Sequence, residues 1–157
     1  MPTITVREYH PESGALLGNV TTLKFGKIVA GTTSRVKVID IAFTEAGVVS
    51  NIRLGLIANG GLTVNPDPED VQDDGSASNG QFGIESSAAF DSSKASQPLS
   101  RHFAGVNTTA TADNENNVSV GNRSDSLSDY IYLDIEVGAG NVAGANGAYK
   151  IFFDYSL

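Results

Sequence analysis

The sequence predicts an all-β protein, an antiparallel β-sandwich of immunoglobulin-like or jelly-roll-like type with long polar loops. The clearest observation is at the carboxyl end, where residues 130–137 and 148–157 both alternate apolar and polar side chains. Side chains along a strand repeat with a period of two, so each segment predicts a half-buried strand. The glycine-rich residues 138–147 between them predict a hairpin connection or a mobile tip. The chain has no heptad run and no repeat of solenoid or propeller period.

Further strands are predicted along the amino-terminal half of the chain. Ile4 and Val6 indicate a first strand that ends near Pro11, because proline cannot donate to a β-ladder. The next predicted strands, which are separated by turn-forming residues, are residues 19–25, 35–43 and 51–57, with a further candidate at 81–86.

The predicted strand at residues 35–43 has apolar residues in two phases. Val36 and Val38 share one face, whereas Ile39 and Ile41 share the other. Either both faces of this strand are covered, or a β-bulge between Val38 and Ile39 shifts the register by one residue. We expect the bulge.

One domain, residues 1–157, is expected from the length of the chain. A chain of this size buries enough surface to fold without staples, and the sequence has 0 Cys. The residues that alternate toward the interior form the predicted core: Ile4, Val6, Leu23, Phe25, Val36, Val38, Ile41, Phe43, Ile52, Leu54, Leu56, Ile131, Leu133, Ile135, Ile151, Phe153 and Tyr155.

Residues 58–126 are predicted to be a loop-rich excursion from this domain. Apolar residues are sparse there, and Gly, Ser, Asn, Asp and Thr dominate. Residues 88–90 are the one place where a single helical turn is expected. A polar tract of this length needs contacts in order to be ordered, and a neighbouring subunit is one source of them. We therefore expect a homo-oligomer.

The charge of the chain limits the classes of partner. The formal net charge is -8, from 18 acidic and 10 basic side chains, and the basic residues are scattered. Nucleic-acid binding requires clustered cations, and an anionic membrane repels a negative protein, so neither partner is expected. No stretch approaches the roughly 18 apolar residues of a membrane span, and no secretion signal is readable.

An acidic loop is the candidate metal site. Its carboxylates are dense enough to supply oxygen ligands to a hard cation such as calcium, although their spacing does not follow the EF-hand pattern. The alternative is a solvated acidic turn or a patch that meets a basic partner. The residues concerned are Asp67, Glu69, Asp70, Asp73 and Asp74. No cofactor other than this calcium ion is expected.

No catalytic residue is predicted. The 2 histidines, His10 and His102, are interpreted as loop or surface residues, and no Gly-x-Ser-x-Gly elbow occurs. The chain has 0 Trp, so sugar stacking would depend on tyrosines. Four tyrosines are candidates for stacking or interface contacts: Tyr9, Tyr130, Tyr132 and Tyr149.

A stretch near the amino terminus resembles a known class of protein. Phe25 and Gly26 end one predicted strand, Gly31 and Thr32 form a turn, and a β-rich run follows at residues 36–43. Over residues 19–57 this arrangement resembles the immunoglobulin-like β-sandwich of virion accessory proteins of tailed bacteriophages, which decorate capsids or join heads and tails. The resemblance implies a scaffold and transfers no catalytic residue.

The function expected from these observations is that of a non-enzymatic structural protein of a phage virion. It would be a capsid decoration or head–tail accessory subunit, located in the virion and bound to a capsid or other virion protein. The alternative is an extracellular or cell-surface module that binds carbohydrate or mediates adhesion, with or without calcium.

Overall fold

The residues that the structure describes lie mostly in β-strands, with almost no helix, which confirms the all-β prediction. Its structure is a computed structural model that describes residues 3–26, 32–44, 48–57, 62–66, 81–96, 98–103, 118–136 and 149–156. A 3-10 helix covers Ser92–Ala95. The strands are β1 (Thr3–Tyr9), β2 (Leu16–Asn19), β3 (Thr22–Gly26), β4 (Lys37–Thr44), β5 (Ser50–Ile57), β6 (Leu62–Pro66), β7 (Gln81–Ser87), β8 (Arg101–Phe103), β9 (Val118–Val120), β10 (Asn122–Ser124), β11 (Leu127–Ser128), β12 (Tyr130–Glu136) and β13 (Tyr149–Ser156).

These strands form two sheets. In the larger sheet β4 is hydrogen-bonded to β1, β11 and β12, while β1 continues to β2 and β12 continues to β7 and then β8. The smaller sheet has the order β3-β6-β13-β5-β9. Among the strands that the structure describes, every hydrogen-bonded pair is antiparallel except β3 and β6, which are parallel. That exception departs from the fully antiparallel arrangement that the sequence predicts, and the chain between the two strands passes through the larger sheet as β4.

The two carboxyl-terminal strands lie in different sheets. β12 pairs with β4 and β7, whereas β13 pairs with β5 and β6. The hairpin, one of the two alternatives predicted for the glycine-rich residues 138–147, is therefore wrong, and the other, a mobile tip, lies outside the described residues. Alternation alone gives the orientation of a strand's faces but does not give its neighbours.

The predicted strand at residues 19–25 is divided between the sheets. β2 ends at Asn19 beside β1, and β3 begins at Thr22 beside β6. The crossing occurs at Val20, whose backbone N–H still donates to the Val6 carbonyl at 2.8 Å. β2 and β3 consequently lie next to each other along the chain at the margins of the two sheets.

The main core lies between the sheets. Side chains from β1, β4, β7 and β12 meet those from β3, β5 and β9, and burial of each large aliphatic side chain contributes roughly 1.5–3 kcal/mol before the entropy cost. The buried residues are Val6, Leu23, Phe25, Ile39, Ile41, Phe43, Val49, Ile52, Leu54, Ile84, Val120, Ile131, Leu133 and Ile135. Ile4, which the sequence places in the core, is 39% exposed because it lies at the outer end of β1.

A second apolar layer covers the outer face of the larger sheet. β4 pairs with β1 from Val38 to Thr44 without a register shift, so the predicted bulge at Val38 and Ile39 is absent. Both residues are instead fully buried, on opposite faces. The outer cluster consists of Tyr9, Val36, Val38, Leu99 and Tyr132, with Phe90 and Tyr130 packed against it.

The outer layer exists because the segment after β7 folds back over the sheet. Leu99 is buried there, while the 3-10 helix begins after Asp91, whose side chain accepts a hydrogen bond from the Ser93 backbone. The prediction of a helical turn at residues 88–90 is therefore wrong in position, because the turn lies a few residues later, at Ser92–Ala95. Both faces of β12 are covered as well, so it is not the half-buried strand that its alternation predicts.

The predicted excursion at residues 58–126 contributes strands to both sheets. β7 and β8 extend the larger sheet, and β6 and β9 extend the smaller one. β9 pairs with β5 through Val120 and Ile52, which are both buried.

Candidate functional site

The margin of the larger sheet formed by β2 is the most distinctive exposed surface in the described residues. Among these residues β2 is hydrogen-bonded to β1 alone. Its sequence is Leu16, Leu17, Gly18 and Asn19, without a charge, and the two leucines are 56% and 59% exposed. Edge strands usually carry charged side chains or prolines that discourage pairing with other chains. We call Leu16–Asn19 the β2 edge.

The turn before the β2 edge is fixed by local hydrogen bonds. The His10 backbone N–H donates to the Ala15 carbonyl at 2.8 Å, and the Gly14 N–H donates to the His10 carbonyl at 2.9 Å. His10 Nδ1 accepts hydrogen bonds from the backbone of Glu12 and Ser13 at 3.2 and 3.3 Å. His10 therefore stabilises a turn, which agrees with its interpretation as a loop residue.

Gly14 joins this turn to the outer layer. Its φ of +74° lies in the left-handed region, which favours glycine. A Cβ atom at this position would lie 3.0 Å from Cδ1 of Phe90, so the ring packs directly on the glycine backbone. The turn is thereby held against the segment that covers the sheet.

A register shift shapes the β2 edge itself. Glu8 lies opposite Gly18 and Tyr9 lies opposite Leu16, so Leu17 is the extra residue of a bulge. Gly18 has a φ of +138°, and among the described residues other than its two chain neighbours no atom lies within 4 Å of the position that its Cβ would take. The bulge therefore presents an exposed leucine next to an open space.

A buried ion cluster lies on the outer face of the larger sheet and includes side chains of β1, the strand that pairs with β2. The Asp40 side chain has no exposed surface, and it accepts hydrogen bonds from Arg7 Nε at 2.8 Å and from the Tyr9 hydroxyl at 2.9 Å. The Nη2 atoms of Arg7 and Arg123 both donate to Asp40 Oδ2. Arg123 also donates to the Ser128 carbonyl at 3.0 Å. One carboxylate thus joins β1, β4 and β10.

The pKa values in this cluster follow from its geometry. The hydrogen bond to Asp40 raises the pKa of Arg7. Burial lowers the pKa of Arg123, but its hydrogen bond to Asp40 and the charge of that carboxylate outweigh this effect and raise it. Burial, followed by the hydrogen bond to Asp40, raises the pKa of Tyr9. Arg7 and Arg123 therefore stay charged and Tyr9 stays protonated, which keeps the cluster intact. We interpret the cluster as a structural element.

Aromatic rings complete the outer layer. The Arg123 guanidinium lies 4.1 Å from the centroid of the Tyr130 ring, and this ring meets Tyr9 edge-on at 5.1 Å. Phe90 meets the same ring at 5.6 Å. Because Tyr9 and Tyr132 are buried, they are not available as stacking platforms for a ligand. The side chain of Tyr149 lies outside the described residues.

The covering segment is tied down by polar contacts as well. The Tyr132 hydroxyl accepts a hydrogen bond from the Asp91 backbone at 2.8 Å. Glu85 accepts from Lys94 Nζ at 2.8 Å and from the Ser100 backbone at 2.9 Å. The hydrogen bond to Glu85 raises the pKa of Lys94, so this ion pair persists over the neutral range.

Two adjoining depressions lie near the start of β4. One, of about 500 Å³, is lined by groups that include Ser34, Ser96 and Glu136, and the other, of about 470 Å³, includes His10. Arg35 contributes to both depressions and is exposed. These openings are shallow, and the lining of the larger one is more apolar than polar.

The predicted calcium site lies outside the described residues. This applies to each of its carboxylates, namely Asp67, Glu69, Asp70, Asp73 and Asp74. In the part of the chain that the structure describes, no three His, Cys, Asp or Glu side chains come together to hold a metal ion. The backbone of His102 lies in β8, and its side chain is not described.

Sequence reasoning missed both the β2 edge and the ion cluster. Leu16 and Leu17 are adjacent and do not alternate, so no strand is indicated there. Asp40 is one of many acidic residues, and its partner Arg7 is 33 positions away along the chain. An acidic residue within the apolar run from Val36 to Phe43 was the available signal, because a carboxylate in such a run requires a cationic partner.

Comparison of the chain with protein families, with curated proteins and with solved structures finds no match. No helix among the described residues is long and apolar enough to cross a membrane.

Proposed function

We propose that this protein is a non-enzymatic structural protein of a bacteriophage virion, a capsid decoration or head–tail accessory subunit that acts by binding neighbouring subunits. The observation that carries the proposal is the β2 edge, an uncharged strand at a sheet margin with two leucines more than half exposed. An exposed apolar strand edge fits a partner that adds chain to the sheet.

The surroundings of the β2 edge support a binding role because they hold it rigidly. β1 lies between β2 and β4, and the ion pair between Arg7 and Asp40 joins β1 to β4. Gly14 and Phe90 fix the turn that precedes β2. A rigid surface loses little conformational entropy on binding, so more of the contact energy remains for affinity.

The chemistry of the edge indicates the class of partner. A short bulged strand offers few backbone hydrogen bonds, so most of the contact must come from the leucine side chains. The partner is therefore an apolar extended segment of a virion protein. It needs no compensating charge, since residues 16–19 carry none.

A particle-binding experiment tests this proposal. Leu16→Ser and Leu17→Ser together are expected to abolish co-sedimentation of the protein with virions from which it has been stripped. They are also expected to remove the heat resistance that the wild-type protein restores. Val48→Ser is the matched control, because Val48 is 63% exposed and does not lie on β2.

The outcomes separate binding from folding. Circular dichroism of each variant should match that of the wild type, because the substituted side chains are exposed. Equal particle binding by the β2 variant and the control would contradict a role for this edge. No effect of the wild-type protein on particle stability would contradict the cementing function.

The depressions beside Arg35 favour a second candidate, a carbohydrate-binding or adhesion module at the cell surface. Arg35 lines both depressions and is exposed, and its guanidinium can donate hydrogen bonds to sugar hydroxyls. A glycan array probed with and without chelator tests this candidate. Binding that disappears in Arg35→Ala and persists in the β2 variant would favour it over the virion role.

A further inference from the structure

We propose that Arg35 and His10 bind the carboxylate group of an acidic saccharide. Their site is the cleft formed by the two adjoining depressions, which share Arg35, Val36 and Ala95 in their linings. We call it the Arg35 cleft. The inference rests on the second candidate function, the carbohydrate-binding module, and deepens it, because it names the class of sugar and the groups that recognise it.

Arg35 is a cation without a partner among the residues that the structure describes. Arg7, Arg123, Lys37 and Lys94 are each paired with a carboxylate, whereas the Arg35 guanidinium makes no hydrogen bond or ion pair with these residues. A guanidinium carries its N–H donors in a planar fork that matches the oxygens of a carboxylate. The fork of Arg35 is therefore free for a ligand.

The backbone on both sides of Arg35 is fixed. The Ser34 backbone N–H donates to the Ile135 carbonyl at 2.8 Å, and the Ser34 hydroxyl accepts from the Ile135 N–H at 2.9 Å. The same hydroxyl donates to the Arg35 carbonyl at 3.0 Å, and Val36 is buried in the outer apolar layer. The Arg35 side chain thus starts from a rigid position, which lowers the entropy cost of binding.

His10 supplies the second donor. Its Nδ1 accepts hydrogen bonds from the backbone of Glu12 and Ser13, so the neutral ring carries its proton on Nε2. The ring is exposed and lines the smaller depression together with Arg35. The turn therefore fixes the tautomer, and the Nε2–H group is the donor that remains for a ligand in the cleft.

Acceptors that line the cleft are more fully engaged than these donors. Asp134 is buried in the lining of the larger depression, and its Oδ1 accepts from the Gly83 N–H at 2.9 Å. The Ser34 hydroxyl already bonds to Ile135 and Arg35. A ligand that supplies oxygen acceptors therefore matches the cleft better than one that supplies donors, and a carboxylate makes the stronger, charge-assisted bonds to a guanidinium.

The apolar part of the lining suits a sugar ring rather than a free anion. Val36, Ala95 and Pro98 lie in the lining of the larger depression, which is more apolar than polar. The C–H groups of a sugar ring can pack on such a surface while a few polar groups fix its orientation. Because the cleft is shallow, a saccharide chain can continue beyond the bound unit.

Nearby carboxylates limit the affinity. Glu12 lines the smaller depression and Glu136 lines the larger one, so both repel an incoming carboxylate. Charges more than about 8 Å away are largely screened at physiological ionic strength, so the net charge of -8 opposes binding less than these two groups do. We expect binding that weakens as salt is raised.

A glycan array and titration calorimetry of the full chain test the inference. The probes are oligosaccharides of galacturonic, glucuronic and sialic acid, each beside its methyl ester, which has the same shape without the charge. The wild type is expected to bind at least one acid about tenfold more tightly than its ester. Arg35→Ala should remove this preference, whereas Lys24→Ala, which removes an exposed positive charge outside the cleft, should retain it.

Variants of His10 separate its role in the turn from its role as a donor. His10→Asn keeps an acceptor near the position of Nδ1 but lacks the Nε2 donor, so it should melt like the wild type and bind the acid about tenfold more weakly. His10→Ala loses both groups and should also melt at a lower temperature. Glu12→Gln removes a repelling charge and should strengthen binding about two- to threefold. Equal affinity of His10→Asn and the wild type would overturn the role of His10.

The same measurements distinguish this inference from the functions proposed above. Equal binding of an acid and its ester through Arg35 would overturn the acidic saccharide and leave the carbohydrate-binding module in place. A preference for the acid that persists in Arg35→Ala would overturn this site, and binding of no saccharide would remove both the site and the module. Co-sedimentation of Arg35→Ala with virions tests the virion role separately, because that role depends on the β2 edge.

Discussion

Arg7 and Asp40 are directly opposed residues on β1 and β4, and their side chains form a two-point contact on the outer face of the larger sheet. The Asp40 side chain is fully buried, while that of Arg7 is 25% exposed. A single carboxylate therefore pairs with two arginines, Arg7 and Arg123, beneath a layer of aromatic rings. The stability of this face depends on the charge of Asp40.

Asp40→Ala is expected to lower the free energy of unfolding by roughly 3 kcal/mol, because it leaves two guanidinium groups in a partly buried site without a counter-charge. Chemical denaturation measures this change. Glu8→Gln is the control, since its ion pair with Lys37 lies nearer the solvent and should contribute less than about 1 kcal/mol. Equal effects of the two substitutions would contradict the role assigned to the buried cluster.

Tyr132→Phe is expected to loosen the segment that covers the outer face. The Tyr132 hydroxyl accepts from the Asp91 backbone and lies 3.1 Å from the Ser87 hydroxyl, and loss of such a buried bond costs about 1–2 kcal/mol. Hydrogen exchange should become faster in residues 87–100 while β4 remains protected. Tyr130→Phe is the matched control, and exchange that rises equally throughout the sheet in Tyr132→Phe would contradict a local role.

The strands that the sequence predicts are those whose apolar residues alternate or cluster. β1, β4, β5, β7, β12 and β13 each lie within one or two residues of a predicted segment. The pairing of those strands depends on contacts between distant parts of the chain. β12 and β13 show this, because their similar alternation gives no indication that they belong to different sheets.

Cover on both faces of β4 was one of the two alternatives that its apolar residues left open, but the sequence did not identify the segment that supplies the outer cover. The segment that forms it is mostly polar, and it is anchored by few apolar residues such as Phe90 and Leu99. Without that cover, burial of both Val38 and Ile39 looks like a bulge. The β2 edge was equally hidden, because the bulge at Leu17 breaks the alternation by which a strand is recognised.

Gly121→Ala is expected to destabilise the protein through Asp129. A Cβ on Gly121 would lie 2.5 Å from Asp129 Oδ2, so the carboxylate must move. The expected loss is about 1 kcal/mol, and it should nearly vanish when Gly121→Ala is introduced into an Asp129→Ala background. Thermal unfolding of the four proteins measures this coupling, and an additive cycle would show that the two residues do not interact.

Asp129→Asn is expected to stabilise the protein at neutral pH, with an effect that depends on pH. Burial raises the pKa of Asp129 above its ordinary value of 3.8, with the charge of Arg123 opposing the shift, and Oδ1 is buried without a hydrogen-bond partner among the described residues. Since folding favours the protonated form, ionisation of Asp129 costs stability.

That cost is absent below pH 3.8 and develops as the pH rises through the higher pKa of the folded state. The melting temperature of Asp129→Asn should therefore exceed that of the wild type at pH 7, and the difference should shrink as the pH falls toward 3.8. Asp125→Asn, in the exposed turn nearby, is the control for removing one negative charge. A difference that stays constant with pH would mean that the substitution acts through packing, because only a titrating carboxylate changes its cost across this range.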